Sequence, residues 1–530
     1  MSTHIMYHAD IRATDAGAPD ILPGHPTVKT LDRSQAANSR RLAILITAVA
    51  LALLSCKKDA TSPAGTATKL AFTVQASDAL VDSSIVPAIA VTVEDASGNP
   101  VTASNALVTV SISANPGGAN LSGTATIVAV AGVATFPYLA LSRAGTGYTL
   151  TASATNLTGA TSASFNVLSV TNGLFSSVST GGNGTCGLTT TGQAYCWGDN
   201  SFGQLGNGSS SASTIPVRVS GGLTFRSISN GSLDLFACGL TTSGSAWCWG
   251  LNEYGELGNG TSGSNQNSSV PVAVVGGLTF TSLSAGPSGH ACGVAVGGAA
   301  YCWGYNSSGQ LGTGSLVTSS SPVPVSGGLS FASLSAGQNW QTCGVAIGGA
   351  AYCWGNNGSG RLGNGSTTNS NTPVPVSGGI IFANVSTGFN STCGLTITGA
   401  AYCWGDNTYG ELGTGSTTNS NVPVAVSGGL KFSSVSVGDA FACGIATGGT
   451  AYCWGYNGEG QLGIGSTTVS LTPVAITGGL SFSSVSAGYA SACAVTPGGA
   501  AYCWGNNPHG ELGNQSTVQS LIPVLVVTPQ

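Results

Sequence analysis

The sequence predicts an all-β protein in which a seven-bladed β-propeller follows a β-sandwich, and three observations lead there. A five-residue stretch, Ala-Tyr-Cys-Trp-Gly or its variant Ala246-Trp-Cys-Trp-Gly, places Trp197, Trp249, Trp303, Trp354, Trp404, Trp454 and Trp504 at intervals of 52, 54, 51, 50, 50 and 50 residues. Each repeat divides into four short apolar segments separated by Gly-rich turns, the pattern of a four-stranded blade. Ahead of the repeats, residues 69–169 alternate apolar and polar in short runs bounded by Gly, Asn or Pro.

Composition narrows the function classes. Only 6% of the 530 residues are Asp, Glu, Lys or Arg, about a quarter of the usual share, while 42% are apolar and 81 are glycine. Disordered chains are charged and poor in apolar residues, so this one reads as folded and rich in strands and turns. Past residue 170 the basic residues are Arg218, Arg226, Arg361 and Lys431, and the net charge is −5. That leaves no patch able to neutralise a phosphate backbone, and nucleic acid is not expected as a partner. Past residue 57 the histidines are His290 and His509, with no nucleophile–base set and no metal-ligand cluster. Catalytic residues, a metal and a cofactor are not expected.

In chain order, residues 1–39 read as a disordered or misassigned extension, with translation beginning near Val28 or Leu31. Residues 40–56 read as a signal peptide: Arg40 and Arg41, then 13 apolar residues from Leu42 to Leu54, too short to span a bilayer, then Ser55-Cys56. Leu53-Leu54-Ser55-Cys56 resembles the bacterial lipobox, which implies lipidation of Cys56, export and a membrane anchor. Lys57 after the cysteine directs the expectation to the outer membrane, on its periplasmic or surface face. Residues 57–68 are small and polar, a flexible tether. The runs Leu70-Ala-Phe-Thr-Val, Ile89-Ala-Val-Thr-Val, Leu107-Val-Thr-Val-Ser-Ile and Tyr148-Thr-Leu-Thr-Ala supply the strands of the sandwich. With the turn Asp95-Ala-Ser-Gly-Asn-Pro-Val101 they resemble bacterial immunoglobulin-like domains of surface proteins, which implies a spacer or adhesion module.

Residues 170–530 carry the repeats. Their segments are Phe-x-Ser-Val-Ser, as in Phe432 to Ser436; Cys-Gly-Leu, as in Cys393 to Leu395; Ala-Tyr-Cys-Trp-Gly; and Pro-Val-x-Val, as in Pro423 to Val426. Between the last two lies Asn-x-x-Gly-[Gln/Glu/Arg]-Leu-Gly, as in Asn457 to Gly463. The composite resembles the RCC1 repeat, of the regulator-of-chromosome-condensation family, over about 360 residues. The resemblance implies a seven-bladed propeller; the repeats, from Phe175 to near Val526, leave the last blade either complete in itself or lending the Pro523-Val-Leu-Val strand to the first, and the family precedent favours such an overlap. The resemblance also implies protein binding, since similar faces bind a small GTPase and, in secreted bacterial relatives, a β-lactamase. Nucleotide exchange does not carry over to an exported chain.

Each repeat carries two cysteines ten residues apart: Cys186 and Cys196, Cys238 and Cys248, Cys292 and Cys302, Cys343 and Cys353, Cys393 and Cys403, Cys443 and Cys453, Cys493 and Cys503. If the connection Thr190-Thr191-Gly192 is a hairpin centred on Thr191, Cys186 faces Cys196 and Leu188 faces Ala194. That spacing suits a disulfide in every blade, in preference to reduced buried cysteine or zinc. The same register sets Gly187 opposite Tyr195, which leaves room for the aromatic ring to pack on the next blade.

In a four-stranded meander the first and third connections share a face. Here those connections differ in every copy while the others are monotonous. The first supplies Asp234, Leu235, Phe236, His290, Trp340, Phe389, Asp439, Phe441 and Tyr489; the third supplies Tyr305 and Tyr456. Aromatic rings with scattered polar groups on one loop-built face are what a recognition surface uses. The expectation is a monomeric, non-enzymatic envelope lipoprotein binding a protein or glycan ligand. Alternatives are a glycan-hydrolysing propeller using Asp234 and Asp439, and a passive structural or adhesion component.

Overall fold

The computed structural model describes residues 65–81, 85, 87–168, 174–231, 236–286 and 288–527. The signal segment, Cys56, most of the tether, Asp234 and Leu235 lie outside the described residues. Every regular element among the described residues is a strand.

Residues 69–168 build small sheets around one core. Ile89–Glu94 pairs with Lys69–Val74 on one side and Val133–Phe136 on the other, and Leu107–Ile112 lies between Leu150–Ser153 and Thr126–Val128. Alternation aims Val91, Val93, Val108, Val110, Phe136, Tyr148 and Leu150 inward, where all are buried in one cluster. The Asp95 turn forms because its carboxylate Oδ1 accepts from the backbone N–H groups of Ser97 and Asn99, both at 2.9 Å. The buried Tyr148 donates its hydroxyl to the Arg143 carbonyl at 2.8 Å, five residues upstream.

Residues 175–525 hold seven four-stranded antiparallel sheets, each of four consecutive strands. In sheet one they are Phe175–Thr180, Gly184–Thr189, Ala194–Gly198 and Ser213–Arg218. In sheet seven they are Ser484–Ala487, Ser491–Val495, Ala501–Gly505 and Ser520–Leu525. The terminal Pro523-Val-Leu strand pairs inside its own sheet, Tyr502 opposite Leu525. Among the described residues no strand is exchanged between the ends: the last blade is complete in itself, contrary to the overlap that the family precedent favours. The first strands touch one another around the circle, sheet seven against sheet one included, so they form the centre and the fourth strands the rim.

The hairpin register is as the spacing predicts: Cys186 faces Cys196, Gly187 faces Tyr195 and Leu188 faces Ala194. All seven cysteine pairs are bonded. The role of the small residue differs from the expectation. A Cβ on Gly187, Gly239 or Gly394 would meet the ring of Phe175, Phe225 or Phe382, so the glycine makes room for the phenylalanine of its own repeat. That ring then lies beside the tryptophan, as with Phe225 and Trp249 at 5.9 Å between centroids. The tryptophan is what crosses to the neighbour: Trp249 is buried against Cys186, Cys196, Leu188 and Leu205 of sheet one.

Three belts of hydrogen bonds lock sheet to sheet and loop to sheet. Each indole N–H donates at 2.7–2.9 Å to the carbonyl of Gln204, Glu256, Gln310, Arg361, Glu411, Gln461 or Glu511 in the preceding repeat, and Trp197 to Glu511 closes the circle. The last serine of each Phe-x-Ser-Val-Ser segment, Asn384 replacing the first serine in sheet five, accepts a backbone N–H of the next sheet at 2.9–3.1 Å. The chain runs from Ser179 to Ser486, whose acceptor is reached by Thr180 N–H. Each motif asparagine is fully buried and holds its loop: Asn457 donates to Ser466 and Thr468 carbonyls at 2.8 and 2.9 Å and accepts Leu462 N–H at 2.9 Å. On the rim, Pro216, Pro271, Pro322, Pro373, Pro423, Pro473 and Pro523 remove one donor from each edge strand, which discourages pairing with another chain.

Candidate ligand-binding face

In the six repeats whose first connection carries the bond among the described residues, the two variable connections meet on one side of the ring, as the meander predicts. The residue after Trp-Gly donates its N–H to the first connection: Tyr305 to Gly289 at 2.7 Å, Asn356 to Trp340 at 2.7 Å, Asp406 to Asn390 at 2.9 Å and Tyr456 to Ala440 at 2.8 Å. The first connections also bond to one another around the mouth. Gln338 donates to Gly388 at 3.0 Å, Phe389 to Gly438 at 3.2 Å, Asp439 to Gly488 at 3.1 Å and Tyr489 to Gly181 at 2.9 Å. These glycines are needed at so close an approach, since a Cβ on Gly388, Gly438 or Gly488 would run into the next backbone carbonyl.

On this frame two aromatic clusters form. In the first, Tyr254 and Tyr305 have centroids 4.6 Å apart and Tyr305 lies 6.1 Å from Trp340. Trp340 is exposed and holds a left-handed backbone, φ 56°, a conformation that costs a bulky residue energy and is concentrated at functional positions. Asn339 and Asn356 flank it; Asn339 donates to Asn390 Oδ1 at 3.0 Å. Beneath this cluster the fully buried Glu256 accepts Tyr254 N–H at 2.8 Å, and burial pushes its carboxyl up to about 7.

In the second cluster Tyr409 and Tyr456 meet edge to face at 5.0 Å. The backbone bonds above set Asp439 beside Tyr456 on one side and Tyr489 on the other. Among the described residues nothing donates a hydrogen bond to the Asp439 carboxylate or pairs with it. Burial pushes Asp439 up to about 6. Burial likewise raises Glu411 to about 7, with the Asp406 and Asp439 charges adding to it, and raises Tyr489, with Asp439 and Tyr456 adding.

The structure brings Tyr305, Trp340, Phe389, Asp439, Tyr456 and Tyr489 to the face, half-buried or exposed. It removes three expected members. Phe236, His290 and Phe441 are fully buried because each is the first residue of its repeat's second strand and packs between sheets, opposite a Trp-Gly glycine that, at Gly304 and Gly455, lets the two backbones approach closely. His290 bonds through Nε2 to Thr342 Oγ1 at 3.0 Å, and burial drops it to about 3. Tyr254 and Tyr409 are members that the sequence reading missed. They sit in the variable place just before the glycine of Asn-x-x-Gly, which also holds Phe202, Glu459 and His509, and that variability was the available signal.

The sequence profile of the RCC1-like domain matches residues 235–530, and profiles of the regulator of chromosome condensation (RCC1) repeat match 175–204 and 191–233. The chain belongs to the RCC1-like domain family. Relatives in that family include the human E3 ubiquitin-protein ligase HERC2, 28% identical over 207 residues, 38% of this chain and 4% of HERC2. The ultraviolet-B receptor UVR8 of Arabidopsis thaliana is 31% identical over 197 residues, 36% of this chain and 43% of UVR8. The chain therefore spans less than half the length of either relative. The structure of Prp20p from Saccharomyces cerevisiae superposes with a TM-score of 0.57 at 20% identity, over 67% of this chain and 88% of Prp20p, a likeness of fold. The RCC1-like ring accounts for the repeated framework.

Proposed function

We propose that the protein is a non-enzymatic envelope lipoprotein whose seven-bladed RCC1-like propeller binds a protein ligand on its loop face. The observation that carries this reading is the division of labour inside the repeat. Its framework positions recur from copy to copy with few substitutions and are consumed by packing, whereas Tyr254, Tyr305, Trp340, Tyr409, Tyr456 and Tyr489 are ring-bearing, at least partly accessible and stand at positions that differ from repeat to repeat. Tyr and Trp are the residues that dominate protein interfaces. The relatives support the same class, since Prp20p has binding properties toward Gsp1p and histones, and yeast RCC1 has been solved with Kap60 bound.

In this reading Cys56 is the lipid-bearing residue, the chain is exported, and residues 69–168 are an immunoglobulin-like spacer. The spacer assignment is supported by their single core and by the Tyr148 hydroxyl bond to Arg143, the kind of tyrosine corner found in such sandwiches. Immobilised full-length oxidised protein should retain a partner from the envelope fraction of the native organism. Replacement of Trp340 and Tyr489 together by Ala should abolish that capture; undiminished capture would overturn the choice of face. Metabolic labelling with palmitate should mark the wild type and leave Cys56→Ser unlabelled.

A further inference from the structure

The second aromatic cluster has a chemistry that the first lacks. Tyr409 and Tyr456 present two ring faces at 60° to each other, and Tyr456 is tied by backbone bonding to the loop of Asp439, which is tied in turn to that of Tyr489. Asp406 and Glu411 add acidic groups around the same place. Asp439 is half-buried, and among the described residues its carboxylate has no hydrogen-bond donor or cation, so a cation brought to it would meet an uncompensated charge with reduced solvent screening. Aromatic faces carry negative quadrupole charge and attract cations most strongly where water is excluded. Arg361, on which the Asp406 charge acts, is buried and donates to the Asn339 carbonyl at 3.2 Å and Ser359 Oγ at 3.3 Å.

We propose that Asp439, Tyr409, Tyr456 and Tyr489 form a pocket for a lysine or arginine side chain in a basic segment of a protein partner. This rests on the loop face being a protein-binding surface, and it names the chemistry that one part of that surface selects. Charge complementarity argues against a second copy of the ring as occupant. Of its four basic residues, Arg361 is buried and Arg226 donates to the Phe280 and Thr281 carbonyls, leaving Arg218 on the rim strand and an exposed Lys431 beside the Thr447 hairpin, away from the loop face.

The test is calorimetric titration of the full oxidised chain, at low ionic strength, with an N-acetylated, amidated pentalysine peptide. Wild type should bind it and should not bind the matching pentaglutamate. Asp439→Asn should weaken pentalysine binding about tenfold or more, as should Tyr456→Ala, while Tyr456→Phe retains most of it. Ile397→Ala, on a hairpin of the opposite face, should bind as wild type does. The proposal is overturned if pentalysine does not bind, if Asp439→Asn binds it as wild type does, or if tetramethylammonium binds and pentalysine does not. If Tyr456→Ala fails to fold, the Asp439→Asn and Tyr456→Phe pair still decides. Partner capture that survives in Asp439→Asn but is lost in the Trp340, Tyr489 double variant would sink the cation pocket and leave the loop face standing.

Discussion

The two halves of every repeat obey opposite rules. Four framework side chains keep the same partner in all seven copies: indole to carbonyl, last serine of Phe-x-Ser-Val-Ser to the next backbone N–H, asparagine to its own loop, cysteine to cysteine. A few residues away, Tyr254 and Tyr409 occupy a place that holds Ser308 in one copy and Glu459 in another. The contrast teaches where selection for structure ends. A ring of sheets needs its internal contacts repeated, because each sheet covers only its neighbours, whereas its outward loops are free to differ once their backbones are held.

That contrast is open to attack from the framework side first. Asn407 is fully buried and bonds Leu412 N–H at 2.9 Å and the Ser416 and Thr418 carbonyls at 2.9 and 3.0 Å. Asn407→Ala leaves those groups without it and should cost about 3 kcal/mol, read from the denaturant midpoint under oxidising conditions. A loss below about 1 kcal/mol would mean the loop does not depend on its asparagine. Replacing Cys443 and Cys453 by Ala opens one short loop and should cost about 2–3 kcal/mol without opening the ring, so the other repeats keep their amide protection.

His290 offers a finer probe, because it interrupts the framework with a titratable group. Its folded pKa, lowered by burial to about 3, lies below the unfolded value of 6.5, so the unfolded chain binds the proton first. Stability should therefore fall as pH drops from 6.5 towards 3, by up to about 1.4 kcal/mol per unit. Glu256 and Glu411 act in the other direction. Raised by burial to about 7, they contribute stability fully present below about 4.5 and lost as pH rises through 7. The clean quantity is thus the difference between wild type and His290→Gln across this range; a flat difference would show that the imidazole is not sealed between sheets.

The smallest effect on stability, with the largest on function, is expected at Trp340. Because its φ of 56° suits glycine, Trp340→Gly should change stability by less than about 1 kcal/mol while partner capture is lost. Strong destabilisation would place Trp340 in the framework instead.

Repeat number, hairpin register and cysteine pairing were legible in the sequence because periodicity reports them directly, each copy checking the others. What was hidden depended on one residue of boundary. Whether Phe236, His290 and Phe441 end a loop or begin a strand decides if they face ligand or interior, and nothing local marks the change; the glycine opposite, Gly250, Gly304 or Gly455, lies ten or more residues away in sequence. The belts were equally invisible, since Ser436 bonds a residue 51 positions on and Trp454 a carbonyl 43 positions back. Tyr254 and Tyr409 were obscured for a simpler reason: they stand inside a motif whose flanking Asn and Gly are constant.

The opposite face carries its own exposed apolar side chains, Val296, Ile347 and Ile397 on successive hairpins, and so supplies the natural competitor. Hydrogen exchange of the full chain with and without its captured partner separates the two most directly. Slowed exchange is predicted at residues 338–340, 388–390, 438–440 and 488–490. Protection confined to the hairpins at 296–298, 347–349 and 397–399 would contradict the loop face as the binding surface.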